Sequence, residues 1–157
     1  MLPSVYIETT IPSYLTSWPS RDIVRAAHQR LTKDWWMLRR GLFRLYTSEL
    51  VRGEASLGDP TAASERLDSL TDVEILPIND SVGPLASEIA RQAGIPEKAK
   101  TDAAHVAIAA IYGMDFLLTW NCTHINNAQL LSIIEKTCAD NGVTCPVVCT
   151  PEELMGL

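Results

Sequence analysis

Short apolar runs alternate with longer amphipathic segments along the 157-residue chain. The apolar runs predict strands at residues 4–8, 43–47, 73–78, 116–120 and 146–149, with a Thr-Thr-Ile-Pro turn after the first. The segments between them predict helices over residues 20–40, 48–57, 60–70, 80–94, 101–112, 126–140 and 150–153. Because continuous apolar strands alternate with helices, we expect an α/β fold with a mostly parallel, about five-stranded sheet between two helical layers.

Capping residues indicate where these helices begin and end. Ser20, Ser48 and Asp80 are each placed to cap a helix N-terminus, and Asp59 precedes a proline at the first helical position. Gly94 is expected to end the helix that begins at Asp80. The apolar residues expected to face the core from the first long helix are Ile23, Ala27, Leu31, Trp35 and Leu38.

The composition is typical of one folded domain, which we expect to span residues 1–157. Hydrophobic residues make up 46% and charged residues 20% of the chain. No apolar run approaches the roughly 20 residues that cross a bilayer, and the N-terminus lacks the features of a secretory signal. The four cysteines include no CxxC pair, which disfavours a zinc site. We therefore expect a cytoplasmic protein with reduced thiols and no membrane association.

Basic residues are concentrated in one segment of an otherwise acidic chain. Residues 21–44 hold seven of the thirteen basic residues and two acids, so this segment carries +5 within a chain of net charge −6. Such a segment could bind a phosphate backbone. The candidate RNA-binding residues are Arg21, Arg25, Arg39 and Arg40. A solvated helix face, or a surface for a partner protein or a dimer, is an equally open interpretation.

Three acidic residues and one amide lie where predicted strands meet helices or loops. Glu8 ends the first strand, and Glu54 lies about two turns into the helix after the second. Asp102 opens the helix before the fourth strand, and Asn121 directly follows that strand. Ligands of open α/β sheets bind beyond the carboxyl ends of the strands, where these residues can converge. Clustered carboxylates stay ionised only beside a cation, which predicts a Mg²⁺ or Mn²⁺ site suited to phosphodiester hydrolysis.

Each acid also has a simpler interpretation. Asp102 could be present only because a negative charge near the N-terminus of a helix interacts favourably with the helix dipole, and Glu54 could be a surface residue. Glu49 lies in the first turn of the same helix as Glu54 and is the alternative candidate for the metal ligand from that helix. Their spacing of five residues puts them on different faces, so we expect only one of them in the site.

Polar residues near the acids are secondary candidates. We expect Thr119 to brace the Asn121 amide and His124 to contact a phosphate group. His105 lies one turn after Asp102, where a histidine bonded to a neighbouring residue is the more ordinary interpretation than a metal ligand.

The order of five short stretches resembles a known family. These stretches are YIETTIPSYL, TSELVRGE, DAAHVAIAA, LLTWN and CTPEEL. Together they resemble PIN-domain proteins, specifically the VapC-like toxin ribonucleases of bacterial type II toxin–antitoxin pairs. The resemblance spans nearly the whole chain and depends on the order, since no single motif is very specific. It implies a PIN-like three-layer α/β/α sandwich, metal-dependent endonucleolytic cleavage of RNA, a homodimer, and a complex with a small antitoxin.

The resemblance also assigns roles to individual residues. Glu8, Glu54 and Asp102 match the first three acids of the family's metal-binding quartet, and Asn121 matches the region of the fourth. The first acid is normally aspartate, whereas this chain has the longer glutamate. The fourth position is a neutral amide, so the site has three charges and binding of a second metal ion stays open.

Two other functions remain open. The same fold could be a catalytically weak or inactive module that binds RNA or another protein. A small-molecule phosphohydrolase on a related scaffold is less well supported, because no DxDx(T/V) nucleophile motif follows the first strand.

Overall fold

Helices and strands alternate along the chain in the computed structural model, which describes residues 1–156. The strands are β1 (Ser4–Ile7), β2 (Arg44–Ser48), β3 (Glu74–Leu76), β4 (Phe116–Leu118) and β5 (Val147–Cys149). The α-helices are α1 (Thr10–Thr16), α2 (Ile23–Leu38), α3 (Glu49–Ala55), α4 (Pro60–Ser69), α5 (Val82–Ala93), α6 (Lys100–Ile111) and α7 (Leu131–Asp140). Leu157, the last residue of the predicted domain, lies outside the described residues.

The strands form one sheet in the order β3-β2-β1-β4-β5, and every pairing in it is parallel. This confirms the predicted α/β fold with a parallel five-stranded sheet. The chain builds outward from β1 to β3 and then returns to place β4 on the other side of β1. The strand order therefore reverses between β1 and β4, and a ligand-binding crevice is expected beyond the carboxyl ends of these two strands.

The helices pack in two groups. Helices α1 to α4 contact one another, and α5 contacts both α6 and α7. Right-handed crossovers that run in opposite directions along a sheet place their helices on opposite faces, which gives three layers. All four residues of β1 are buried, as are residues 105–110 of α6. The small alanine side chains let α6 pack closely on the sheet, and this fixes the N-terminal turn of the helix at the sheet edge.

Helix α1 differs from the turn predicted after β1. The sequence signal for a turn was Pro12, but this proline lies in the first turn of α1. Backbone N–H groups in the first turn of a helix have no partner within the helix, so proline is tolerated there. Ile11 is fully buried and anchors the helix.

The predicted inner face of α2 is partly wrong. Trp35 is fully buried, as expected, and Leu31 is half-buried. Ile23 and Leu38, in contrast, are 83% and 71% exposed, and Ala27 is also exposed. The helix therefore presents apolar side chains to solvent.

Polar side chains occupy the inner face of α2 and explain this difference. Gln29 is buried and bonds through its amide to three groups of the loop before the helix. Thr32 is fully buried and accepts a hydrogen bond from Trp120 Nε1 at 2.7 Å. Because these contacts are specific polar pairs, hydrophobic spacing alone could not identify the face.

Three of the predicted helix ends are confirmed. Ser48 Oγ accepts from the backbone N–H of Val51, and the Asp59 carboxylate accepts from that of Ala62. Gly94 ends α5 in the left-handed conformation, with φ of 68°.

Helix α6 lies within one residue of its predicted bounds, but several other boundaries differ from the prediction. Asp22 caps α2, whereas the Ser20 hydroxyl accepts from the Asp22 N–H outside the helix, and α5 begins without a side-chain cap from Asp80. Helix α7 begins at Leu131, after a series of turns, and residues 150–153 form no helix. Local side-chain bonds satisfy the backbone in these segments, so a capping pattern there does not continue into a helix.

Helices long and apolar enough to cross a bilayer do not occur within residues 1–156. The four cysteine thiols are all free, with Cys138 and Cys149 buried and Cys122 exposed.

The left-handed end of α5 yields a stability prediction. We expect Gly94→Ala to lower the free energy of unfolding by about 1–2 kcal/mol, because an alanine side chain strains a backbone at positive φ. Gly53→Ala is the matched control, since Gly53 lies within α3 with open space around its Cα. We expect it to raise the free energy by about 0.5–1 kcal/mol. Urea unfolding measures both, and equal effects would contradict the assignment.

Candidate functional site

Glu8 lies directly after β1 and its carboxylate is held inside the protein. One oxygen, Oε2, accepts hydrogen bonds from the Thr10 N–H at 2.8 Å, the Thr10 hydroxyl at 2.6 Å and the Thr119 hydroxyl at 3.0 Å. The side chain is almost completely buried, and burial raises the pKa of Glu8 although these bonds and the charge of His105 act to lower it. The hydroxyls thus fix the orientation of the Glu8 carboxylate at the place where the strand order reverses, between β1 and β4.

Glu54 reaches the same region from α3. Its Oε1 accepts from the Thr9 hydroxyl at 2.6 Å and lies 2.6 Å from His105 Nε2. Burial acts to raise the pKa of Glu54, but the hydrogen bond and charge of His105, with the bond from Thr9, outweigh it and lower the pKa. Glu54 is therefore held as a carboxylate beside the residue that follows Glu8.

His105 connects the acidic residues. The ring is completely buried on α6, with Nε2 facing Glu54. Burial acts to lower the pKa of His105, but the bond to Glu54 and the charges of Glu8, Glu54 and Asp102 outweigh it and raise the pKa. Of the three predicted acids, Glu54 bonds to the ring directly, and Glu8 and Asp102 act on it through their charge. His105 is bonded to neighbouring residues, as the sequence led us to expect, but its two long-range partners, Tyr6 and Glu54, could not be read from the sequence.

Asp102 lies in the first turn of α6, where the helix dipole favours a negative charge. Its Oδ2 lies 2.9 Å from His124 Nδ1, and both side chains are about three-quarters buried. Asp102 thus occupies one ring nitrogen of His124, and the predicted contact of His124 with phosphate stays a prediction for the other nitrogen.

Asn121 follows β4 but its side-chain oxygen is used locally. Asn121 Oδ1 accepts from the backbone N–H groups of Thr123 and His124 at 3.2 and 3.0 Å. The predicted support from Thr119 is also different: the Thr119 hydroxyl accepts from the Asn121 backbone N–H and donates to Glu8. Asn121 therefore shapes the turn that carries His124, and only its Nδ2 group is without a hydrogen bond to a described residue.

The remaining candidates lie outside this cluster. Glu49 is exposed on α3, as its spacing from Glu54 implied. Arg21 and Arg25 are exposed at the N-terminal end of α2, and the Arg25 guanidinium lies 5.0 Å from the Tyr14 ring centre.

Arg39 and Arg40 do not lie with the site. They follow the C-terminal end of α2, and helices between parallel strands run back toward the amino ends of the strands. Arg40 pairs with Asp72 at 2.6 Å and stacks on Trp36. These two arginines are therefore on the opposite edge of the sheet from Glu8.

The donor chemistry of the cluster fits a divalent cation. Each of Glu8, Glu54 and Asp102 has one carboxylate oxygen without a hydrogen bond from a described residue. Oxygen donors of this kind are those that Mg²⁺ and Mn²⁺ prefer. Within residues 1–156, however, no three acidic, histidine or cysteine side chains stand close enough to form a finished ligand set. An ion would have to draw the free oxygens together.

The hydroxyl contact of Thr119 with Glu8 yields a second prediction. We expect Thr119→Val to lower the free energy of unfolding by about 1–3 kcal/mol, because it leaves buried polar groups without their partner. Thr119→Ser keeps the hydroxyl and should cost less, and urea unfolding compares the two. A valine variant as stable as the serine variant would contradict the role given to this hydroxyl.

Comparison with known proteins supports the fold. No family model matches the chain, and no curated protein matches it. Among solved structures, the chain is similar to one in the crystal structure of VapBC2 from Rickettsia felis bound to a DNA fragment from their promoter. The TM-score is 0.60 and the identity 15%, with 94% of this chain and 98% of that chain covered. The protein therefore has the PIN-like α/β fold that its sequence predicted.

Proposed function

We propose that the protein is a divalent-metal-dependent endoribonuclease, the toxin of a toxin–antitoxin pair. The observation that carries this proposal is the placement of Glu8, Glu54 and Asp102 beyond the carboxyl ends of the strands, where Glu54 bonds to Thr9 and His105, Glu8 to Thr119, and Asp102 to His124, each acid keeping a free oxygen. The likeness to a chain of a VapBC2 complex supports the same interpretation through the fold.

In this proposal, Glu8, Glu54 and Asp102 hold one Mg²⁺ or Mn²⁺ ion. When bound, such an ion lowers the pKa of a bound water and neutralises charge on the phosphoryl oxygens. The Nδ2 group of Asn121 donates a hydrogen bond to a phosphate oxygen or an outer water of the site. Arg21 and Arg25, exposed at the end of α2, attract the RNA backbone.

The exposed apolar side chains of the α2 region are proposed to bind the antitoxin. Trp18, Ile23 and Met37 are 92%, 83% and 80% exposed. Apolar side chains that are this exposed are typical of interaction surfaces when they cluster. The similar chain comes from a complex named VapBC2, which favours a partner protein. A homodimer through the same surface is the other assembly that we propose.

A catalytically weak or inactive binding module is the second candidate. Asn121 replaces a charged ligand with an amide whose oxygen is already bonded to the backbone. Together with the lack of a finished ligand set within residues 1–156, this favours RNA or protein binding without cleavage.

RNA cleavage with and without metal tests the proposal. We expect the wild-type protein to cleave a mixed RNA pool in the presence of Mg²⁺ or Mn²⁺, and we expect no cleavage in EDTA. Glu54→Gln removes a charged ligand and should lower the cleavage rate by at least about 100-fold. Even residues that only hydrogen-bond to metal ligands lower affinity or activity about 10–100-fold when they are replaced. Asp102→Asn should have a similar effect.

Glu49→Gln is the matched control, because Glu49 is an exposed glutamate on the same helix as Glu54. We expect this variant to cleave at the wild-type rate. Cleavage by Glu54→Gln at the rate of Glu49→Gln would remove the catalytic assignment. RNA that binds wild-type protein in EDTA and stays intact in Mg²⁺ and Mn²⁺ would favour the binding module.

A further inference from the structure

A chain of buried hydrogen bonds runs through the protein to Glu54. Ser48 Oγ lies 2.8 Å from the Tyr6 hydroxyl, which lies 2.8 Å from His105 Nδ1. On the other side of the ring, Nε2 lies 2.6 Å from Glu54 Oε1. Ser48, Tyr6 and His105 are completely buried, and they come from the end of β2, from β1 and from α6.

We propose that His105 is the positioning residue for Glu54 and that Tyr6 and Ser48 hold His105 for this role. Where it concerns metal binding, this inference rests on the proposed function, because it gives Glu54 a ligand role. The geometric part, that His105 determines where the Glu54 carboxylate lies, stands without it.

The directions of the hydrogen bonds follow from the donors available. The Val51 N–H donates to Ser48 Oγ at 3.2 Å, so the Ser48 hydroxyl is free to donate to Tyr6. The Glu54 carboxylate can only accept, so the ring carries a proton on Nε2, and in the neutral ring Nδ1 accepts from the Tyr6 hydroxyl. A doubly protonated ring also has a proton on Nε2. In either state His105 donates to Glu54.

Glu54 depends on this donor because little else restrains it. Its side chain is 32% exposed, and its other hydrogen-bond partner among the described residues is the Thr9 hydroxyl. A glutamate side chain loses considerable rotamer freedom when it is held in one place. The imidazole ring of His105 is buried, and the Tyr6 hydroxyl holds it at Nδ1. The Nε2 donor of the ring therefore stays in one place and holds Oε1 of Glu54. The second oxygen of Glu54 is then left free for a ligand.

Both ends of the hydrogen-bond chain, Ser48 and Glu54, belong to helix α3 or its N-terminal cap. Ser48 caps the N-terminus of α3, and Glu54 lies near the C-terminal end of the same short helix. One serine thus fixes the start of α3 and, through Tyr6 and His105, the side chain near its end. This arrangement determines the position of the carboxylate from two sides.

Two substitutions of His105 separate its bond to Glu54 from its bond to Tyr6. The amide of His105→Gln reaches the position of Nε2 and can still donate to Glu54, whereas the shorter amide of His105→Asn reaches only the position of Nδ1. Tyr6→Phe is a third variant that keeps the ring and removes the hydroxyl. Circular dichroism and thermal unfolding identify which variants keep the native fold.

The first measurement is Mn²⁺ binding by isothermal titration, with cleavage kinetics on the same RNA pool. We expect His105→Asn to weaken Mn²⁺ binding and lower kcat by about 10–100-fold, as for other residues that orient metal ligands. The KM for RNA should change little, because His105 is buried away from the substrate. His105→Gln should recover most of the loss, and Tyr6→Phe should show a smaller one. Equal losses in folded His105→Gln and His105→Asn would overturn the inference.

The second measurement does not depend on metal binding. In crystal structures of the metal-free proteins, we expect one conformer of the Glu54 carboxylate in wild type and His105→Gln, and several conformers or a displaced one in His105→Asn. If wild type binds no Mn²⁺ but Glu54 moves in this way, the proposed function fails and the positioning role stands. If His105→Asn cannot fold, Tyr6→Phe decides by the same readout. An unchanged Glu54 in the folded variants would overturn the inference.

Discussion

The accumulation of negative charge at one edge of the sheet is the constraint on which the candidate site depends. Three carboxylates cannot lie near one another in a partly buried crevice unless positive charge or hydrogen-bond donors offset their repulsion. The protein uses both means. Threonine hydroxyls hold Glu8, and the buried imidazole of His105 bonds to Glu54, while the charges of Glu8, Glu54 and Asp102 together raise its pKa. One oxygen of each carboxylate remains free, and a divalent ion would complete the balance of charge.

The topology explains why residues so distant in sequence meet. The reversal of strand order beside β1 brings the ends of β1 and β4 together, so Glu8 and Thr119 are neighbours although they are 111 residues apart. Helices α3 and α6 begin at the same edge and bring Glu54 and Asp102 to it. The fully buried central strand and the close-packed α6 hold this edge rigidly, as a preorganised site requires.

The sequence predicted the fold, and it singled out acidic residues that the structure places at one edge of the sheet, because both depend on local patterns. Apolar runs identify strands, and the parallel order of a PIN-like sheet determines which strand ends meet. The sequence could not predict the hydrogen-bond partners of the acidic residues, since these contacts join residues far apart in the chain, such as Glu54 with His105. The inner face of α2 was misassigned for the same reason, because Gln29 and Thr32 are buried through specific hydrogen bonds. Asn121 was correctly placed near the site, but its use as a turn residue depends on loop geometry.

The most direct test of the central claim is a crystal structure of the protein soaked in Mn²⁺, with anomalous diffraction recorded to locate the ion. We expect an anomalous peak beyond the carboxyl ends of the strands, bound by the free oxygens of Glu8, Glu54 and Asp102. Such a peak should disappear in Glu54→Gln and persist in Glu49→Gln. A crevice without a peak at Mn²⁺ concentrations that support RNA cleavage, or a peak bound only by other residues, would contradict the account.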